Sequence, residues 1–349
     1  MGGAALKNCT TRRYLADEYY QLEQEVLDII SNNFPFDSVS TIKAYTLKES
    51  FGDMDVLACT DKYDPCNIED KLIRLFNTKE VVKNGNVVSF EYKQFQIDLI
   101  LTRPADYVSS QQYFAYNDLG NLIGRVAHSM GLKLGHDGLT YKFYADKTQV
   151  FREITLLKDW EQILPVLGYS WERYQQGFDT LEDIFKFVVS SPFFNKSIYA
   201  LENRNHAART RDAKRLTYTS FLEWLENYNE TEVQKFHREW FVKNDCDKIV
   251  WTDYLFGMIP NFYPQYEQAE KDLAFHQEFK RRYNGELVAG WTGLQGKELG
   301  AFMSYVKQEK TEERLKKDIV TLNPVLVERM VKYYFEKWKE TIGGLIGRI

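Results

Sequence analysis

Two aspartates stand two residues apart in Ser50-Phe51-Gly52-Asp53-Met54-Asp55-Val56-Leu57. On an extended strand that spacing sends both carboxylates to one face, while Met54 and Val56 turn the other way into a core. Aspartate is a poor strand residue, so an acidic pair opening a strand needs something to offset its cost. A hard divalent cation does so, because Mg²⁺ takes carboxylate oxygens in octahedral geometry. A third carboxylate, Asp98, lies inside the apolar run Phe95-Gln96-Ile97-Asp98-Leu99-Ile100-Leu101. An acid in such a run is costly unless it is paired or binds a metal. With the two strands as neighbours, Asp53, Asp55 and Asp98 converge. That is the layout for two ions, Mg²⁺ or Mn²⁺, serving an attacking oxygen and a leaving pyrophosphate. The plainer alternative makes them strand-end and turn aspartates, or pairs Asp98 with a lysine.

The elements that must position these acids are readable from periodicity. Apolar residues at Leu15, Tyr19, Leu22, Val26, Ile29 and Ile30 predict an amphipathic helix over 12–33. Strands are predicted over 38–46 and 53–59, and a helix over 67–77. Two β-runs, 79–83 and 86–92, are split by Asn84-Gly85, a hairpin signal. A further strand over 95–101 ends before Pro104. Beyond residue 147 helical patterns dominate: 156–167, 180–190, 217–229, 231–243, 264–283, 296–309 and 323–340. Asp179-Thr180-Leu181-Glu182 and Asn323-Pro324-Val325-Leu326-Val327-Glu328 read as helix starts. The expectation is an α+β chain: a mixed or antiparallel sheet in residues 1–147, then a large, mainly helical domain in 148–349.

Bulk properties narrow the class. A chain of 349 residues that is 44% hydrophobic and 27% charged can bury a sizeable core. A net charge of −5 argues against a protein that coats nucleic acid non-specifically, without excluding a local basic groove. No apolar run reaches the roughly 18 residues of a membrane span. The N-terminus is too weakly apolar for a secretory signal, so an intracellular location, cytoplasmic or nuclear, is expected, with no membrane partner. Cys9, Cys59, Cys66 and Cys246 form no CxxC pair and the histidines supply no zinc spacing around them.

The pattern Gly-Asp-Met-Asp-Val-Leu, followed by Asp98 in Ile97-Asp98-Leu99-Ile100-Leu101, resembles the palm of the DNA polymerase β-like nucleotidyltransferase superfamily, and within it family X DNA polymerases. The likeness covers about residues 40–142. It implies a two-metal transfer of a nucleotide from a nucleoside triphosphate to a nucleic-acid 3′-hydroxyl, with DNA placed ahead of RNA as the partner and DNA repair as the context. On that resemblance Asp53 and Asp55 bridge both ions, and Asp98 holds the one that activates the attacking hydroxyl. Ser50 and Gly52 belong to the first metal-binding strand and the nucleotide site. Tyr113-Phe114 resembles a Tyr-Phe pair that lies against the nucleotide sugar. Asp118 and Asn121 match positions beside the base, and Arg125 a position touching the template. Residues 133–139 resemble the segment closing the nucleotide-binding subdomain. From the residues alone, Tyr113 and Phe114 read equally as aromatic core, and Asp118 as a helix cap.

The sequence departs seriously from that family in one place. A Gly-Ser and two arginines that cradle the triphosphate are replaced by Ile42-Lys43 and Tyr45-Thr46. Lys43 and Lys48 are the nearest cations left for it, and neither reproduces a guanidinium fork. Tyr116 stands where a glycine is usual. Downstream, Arg204, Arg209, Arg211, Lys214 and Arg215 form a basic cluster, read either as a nucleic-acid phosphate contact or as a solvated face. Trp291–Gly300 faintly resembles a tail segment of tRNA and poly(A) nucleotidyltransferases, or is a turn before a helix. Two other functions fit these residues: a template-independent RNA or tRNA-end nucleotidyltransferase, and an inactive palm that binds nucleic acid or serves assembly.

Overall fold

Strand formation around the acids follows their alternation with Met54, Val56 and Ala58, all fully buried. The computed structural model describes residues 5–61, 65–243 and 248–346. Its N-terminal strands are β1 (Tyr14–Leu15), β2 (Ser38–Thr41), β3 (Ser50–Phe51), β4 (Asp53–Cys59), β5 (Val81–Asn84), β6 (Val87–Tyr92) and β7 (Phe95–Thr102). Five of them form a mixed sheet in the order β2-β4-β7-β6-β5. β4 and β7 run parallel, and every other neighbouring pair is antiparallel. The parallel register sets Asp55 directly opposite Asp98, and Asp53 opposite Gln96. The Asn84-Gly85 hairpin forms as its sequence predicts, with Gly85 at φ 63°.

One face of this sheet is dry. Met54, Val56, Ala58, Val88, Phe90, Ile97, Leu99 and Leu101 pack in one cluster with two helices, α1 (Ala16–Asn33) and α2 (Pro65–Phe76). α1 presents Tyr19, Leu22, Val26 and Ile30, and α2 presents Ile68, Leu72 and Phe76. Each fully buried side chain of this size contributes about 1.5–3 kcal/mol, so the acid-bearing strand is anchored from behind. The other face carries Asp53, Asp55, Ser89, Gln96 and Asp98. Its far end is covered by α3 (Tyr107–Phe114), where the Thr102 and Ser110 hydroxyls meet at 3.2 Å.

Several boundaries differ from the periodicity reading, each for a local reason. α1 begins at Ala16 because residues 14–15 pair with 50–51 instead, and the Leu15 amide donates to Glu18 at 2.9 Å. β2 stops at Thr41. Beyond it Thr46 and Leu47 donate their amides to the carbonyls of Phe178 and Asp179, both at 2.9 Å, so the loop bonds to the helical region rather than to a strand. After α3 come α4 (Leu119–Ser129), β8 (Leu132–Gly135) and β9 (Gly138–Tyr144). The helix expected over 156–167 is a correction. Val150–Leu157 is a strand, β10, beside β9, and α5 (Trp160–Val166) starts only where the Asp159 carboxylate caps the Glu161 amide at 3.0 Å. Next follow α6 (Trp171–Gln175), α7 (Leu181–Val188), α8 (His206–Asp212) and α9 (Leu216–Glu226). α7 is fixed by a capping box: Thr180 and Asp183 exchange bonds of 3.0 and 3.1 Å.

By contacts the chain divides elsewhere than at 147/148. Residues 1–142 and 153–262 make one unit, and residues 143–152 and 263–349 another. The helices of 153–262 join the first unit through bonds such as Tyr199 Oη to the Leu122 carbonyl, 2.9 Å, and Tyr174 Oη to the Gln112 carbonyl, 3.1 Å. In the second unit, Tyr283, Val288, Phe302, Val306, Leu315, Ile319, Val327 and Val331 form a separate core, with Tyr334, Phe335 and Trp338 against it. The 291–300 segment there is a turn, with Gly293 at φ 75°, before a helix over Gly296–Glu309. Among the described residues no helix is long and apolar enough to cross a membrane.

Candidate active site

β4 delivers Asp53 and Asp55 to the floor of a cleft of about 1010 Å³ inside the first unit. Asp55 is half-buried with no side-chain hydrogen bond or ion pair among the described residues. Burial, then the charges of Asp53 and Asp98, push its carboxyl up to about 8 from an ordinary 3.8. Asp98 is raised too, mainly by burial, and this is partly offset by the bonds that Ser89 and Gln96 donate to it. Gln96 Nε2 reaches both Asp98 oxygens, at 2.9 and 3.0 Å, while its Oε1 accepts from the Ala5 amide at 3.0 Å. Asp98 therefore stands beside the acid pair but is engaged by an amide, and it does not line the cleft.

Carboxylate oxygens are the donors a hard divalent ion takes, and the mutual repulsion at Asp55 is what such an ion relieves. In that chemical sense Asp53 and Asp55 fit a metal. The arrangement of the third acid is different. Among the described residues no group of three or more His, Cys, Asp or Glu side chains is gathered closely enough to hold one ion. Asp98 carries the Gln96 amide on both its oxygens, at 2.9 and 3.0 Å.

The lining of the cleft is also cationic. Lys48 is half-buried, lies 4.4 Å over the Phe51 ring and donates to Asn117 Oδ1 at 3.1 Å. Burial lowers its pKa, against the raising pull of Asp53 and Asp55. Arg13 enters from β1 and donates to the Ser50 carbonyl at 3.0 Å and to Ser50 Oγ at 3.1 Å. The α8–α9 junction adds Arg211, Lys214 and Arg215 to the same lining. Arg215 pairs with Asp118, which also faces the cleft. Gly52 and Ser50 form its edge near the acids.

The remaining predicted residues separate into distinct places. Lys43 is exposed, lines a different cavity of about 490 Å³ with Tyr116, Trp171 and Tyr174, and is absent from the acid cleft. Tyr113, Asn121 and Arg125 share a smaller cavity of about 280 Å³ that Arg211 also lines. Gly120 permits this, since a Cβ there would stand 2.2 Å from the Tyr113 carbonyl. Among the described residues Asn121 Nδ2 and Arg125 Nε are buried without hydrogen-bond partners, and another Arg125 nitrogen donates to the Ile198 carbonyl at 3.2 Å. Phe114 turns from Tyr113's cavity and stacks on His136, with ring centroids 5.9 Å apart. Tyr116 adopts φ 58°, the left-handed conformation that suits glycine. It is held there by its amide bond to the Lys43 carbonyl, 2.7 Å, and by rings of Tyr174 and Phe178 at 5.7 and 4.8 Å.

The basic cluster splits. Arg204 is turned inward: its guanidinium meets Asp212 at 2.7 Å, with side-chain exposures of 4% and 0%. Arg204 is thus committed to an interior ion pair, although it also borders the cavity that Tyr113 and Arg125 line. Arg209 is exposed and lies outside the cleft lining. Arg211, Lys214 and Arg215 are the members that face the acids' cleft. Arg13 and Asn117 were not singled out by sequence reasoning. Their only local signals are a two-residue β-bridge and a left-handed Asn117 at φ 61°.

No protein-family model matches this sequence, and no curated protein matches it. The chain is similar to polymerase beta from Leishmania infantum, solved as a ternary gap complex: 12% identity, covering 38% of this chain and 52% of that chain, at a TM-score of 0.32. The match thus spans about half the length of that polymerase. So partial a likeness decides nothing about activity. What stands plainly is an α+β chain with a five-stranded mixed sheet and many helices.

Proposed function

We propose that the cleft over Asp53 and Asp55 is a metal-dependent nucleotidyl-transfer site. One observation supports this above the others: two carboxylates from one strand form the floor of a cleft that Lys48, Arg13, Arg211, Lys214 and Arg215 also line. Such opposed charge suits a polyphosphate bridged to acids by cations. In the reaction an acceptor hydroxyl oxygen bonds to the α-phosphorus. The bond from that phosphorus to its bridging oxygen breaks, pyrophosphate leaves with the electron pair, and the hydroxyl proton passes to solvent. Asp53 and Asp55, with Asp98 beside them, would hold Mg²⁺ or Mn²⁺, which would supply charge neutralisation. Lys48 balances the acids from the side, and the cleft positions the reacting groups. The proposed acceptor is the 3′-hydroxyl of a nucleic acid, DNA ahead of RNA.

A second reading, a palm that binds nucleotide without turnover, is favoured by the grip of Gln96 on Asp98. Manganese binding, followed by electron paramagnetic resonance, tests the site under both. Wild type is expected to bind Mn²⁺ more tightly when a nucleoside triphosphate is present, and Asp53→Asn and Asp55→Asn to weaken that binding by about tenfold or more. Identical Mn²⁺ binding in wild type and both variants rules the site out.

A further inference from the structure

The loop upstream of the acids has lost the residues that would hold a triphosphate, yet the cleft is not short of cations. Three of them come from a place more than 150 residues further along the chain, the junction between α8 and α9. We propose that Arg211 and Lys214, with Arg215 and Arg13 at the rim, form the binding site for the β- and γ-phosphates of the nucleotide, replacing a cradle within the sheet domain. This inference rests on reading the cleft as a nucleotide site.

The geometry favours a small polyphosphate over a nucleic-acid backbone. The cations and the acid pair line one bounded cleft of about 1010 Å³, rather than a basic surface. Lys214 is exposed and its side chain makes no hydrogen bond or ion pair among the described residues, so its charge is available. Arg211 spends only its Nε on Asp212, at 3.0 Å, and keeps a half-exposed guanidinium with other donors. Arg215 is held by Asp118, and an incoming phosphate would compete with that carboxylate for the same fork. Thr217 and Ser220, from the first turns of α9, add hydroxyls to the lining. The junction is also rigidly seated. Arg204 and Asp212 pair in the interior, and Tyr218 Oη donates to the Tyr199 carbonyl at 2.7 Å. A cradle built here works only if its scaffold does not drift, and this one is fastened to α4 through Tyr199.

The test is calorimetric titration of the full chain with inorganic tripolyphosphate in the presence of Mg²⁺, and separately with a single-stranded oligonucleotide. Lys214→Glu and Arg211→Glu change exposed side chains, with Arg209→Glu on the same segment as the control outside the cleft. Thermal melts check that each variant folds. Expected is about tenfold or greater weakening of tripolyphosphate binding for the two cleft variants and little change for Arg209→Glu. Equal weakening by all three overturns the proposal, since only net charge is then at work. Loss of oligonucleotide binding with tripolyphosphate binding intact also overturns it, and makes the junction a nucleic-acid surface. The transferase reading fails separately. If no nucleotide is transferred yet tripolyphosphate binding depends on Lys214, the phosphate site stands without the reaction. If transfer occurs and Lys214→Glu leaves the nucleotide KM unchanged, the reaction stands and this phosphate site falls.

Discussion

Asp55→Asn is expected to stabilise the metal-free protein while removing the Mg²⁺ response and the transfer activity proposed for the cleft. The sign follows from the fold. β4 and β7 set Asp55 opposite Asp98, and Asp53 adds a third carboxylate to the same face. With no cation present, the folded state holds the Asp55 carboxyl up at about 8, against 3.8 ordinarily. A carboxyl raised in the folded state binds protons more tightly there than in the unfolded chain. Stability therefore falls as pH rises from about 4 through about 8, and the penalty is complete above that window. Asparagine keeps the shape and drops the charge. In EDTA at pH 8.5 or above the variant should be more stable than wild type, with the difference vanishing near pH 4. Mg²⁺ should raise the wild-type melting temperature and leave that of the variant nearly unchanged. Transfer, if measured in parallel, should drop by on the order of 10³-fold. Urea melts across pH, with and without Mg²⁺, check all but the last. A variant less stable than wild type at every pH would mean that Asp55 is held by a partner rather than poised for a cation.

The second large effect concerns Arg204. Its pair with Asp212 is enclosed, with exposures of 4% and 0%, and removing Arg204 leaves the buried Asp212 with Arg211 Nε alone, at 3.0 Å. Arg204→Ala is expected to cost about 3–5 kcal/mol, read from the midpoint of denaturant unfolding. Arg209→Ala, exposed on the same segment, should change stability by less than about 0.5 kcal/mol. Because Arg204 sits under the α8–α9 junction, the loss should also loosen the cationic side of the cleft and weaken nucleotide binding indirectly. A variant that keeps its stability but loses nucleic-acid binding would return Arg204 to the surface role that its basic neighbours suggest in the sequence.

That contrast shows what local pattern carries and what it does not. Alternation around Asp53, Asp55 and Asp98 marks which way each side chain points, because strand period is a property of the backbone alone. The hairpin at Asn84-Gly85 is equally local, set by the left-handed turn glycine accepts. Register is not local. The opposition of Asp55 to Asp98 depends on a parallel crossover through α2 and the β5–β6 hairpin, which no window of residues encodes. Nor does composition show which arginine of 204–215 turns inward. Arg204 and Arg211 look alike in the chain, and only the packing of Asp212 and Tyr218 parts them. The start of the helix expected over 156–167 misleads because Thr155-Leu156-Leu157 suits a helix or a strand until a neighbour, here β9, supplies hydrogen bonds. Arg13 is invisible for the same reason: it reaches the cleft only because β1 pairs with β3.

The central claim is that this cleft moves a nucleotide onto a hydroxyl. The direct measurement is transfer of label from α-phosphate-labelled nucleoside triphosphates, offered singly with Mg²⁺ or Mn²⁺, to a panel of templated and single-stranded DNA and RNA 3′ ends, with pyrophosphate release followed alongside. Expected is metal-dependent extension of at least one acceptor by wild type, matched by pyrophosphate released in equal amount, and none by Asp55→Asn. Contradiction would be no labelled product on any acceptor with either metal, from a protein that is folded and binds the nucleotide.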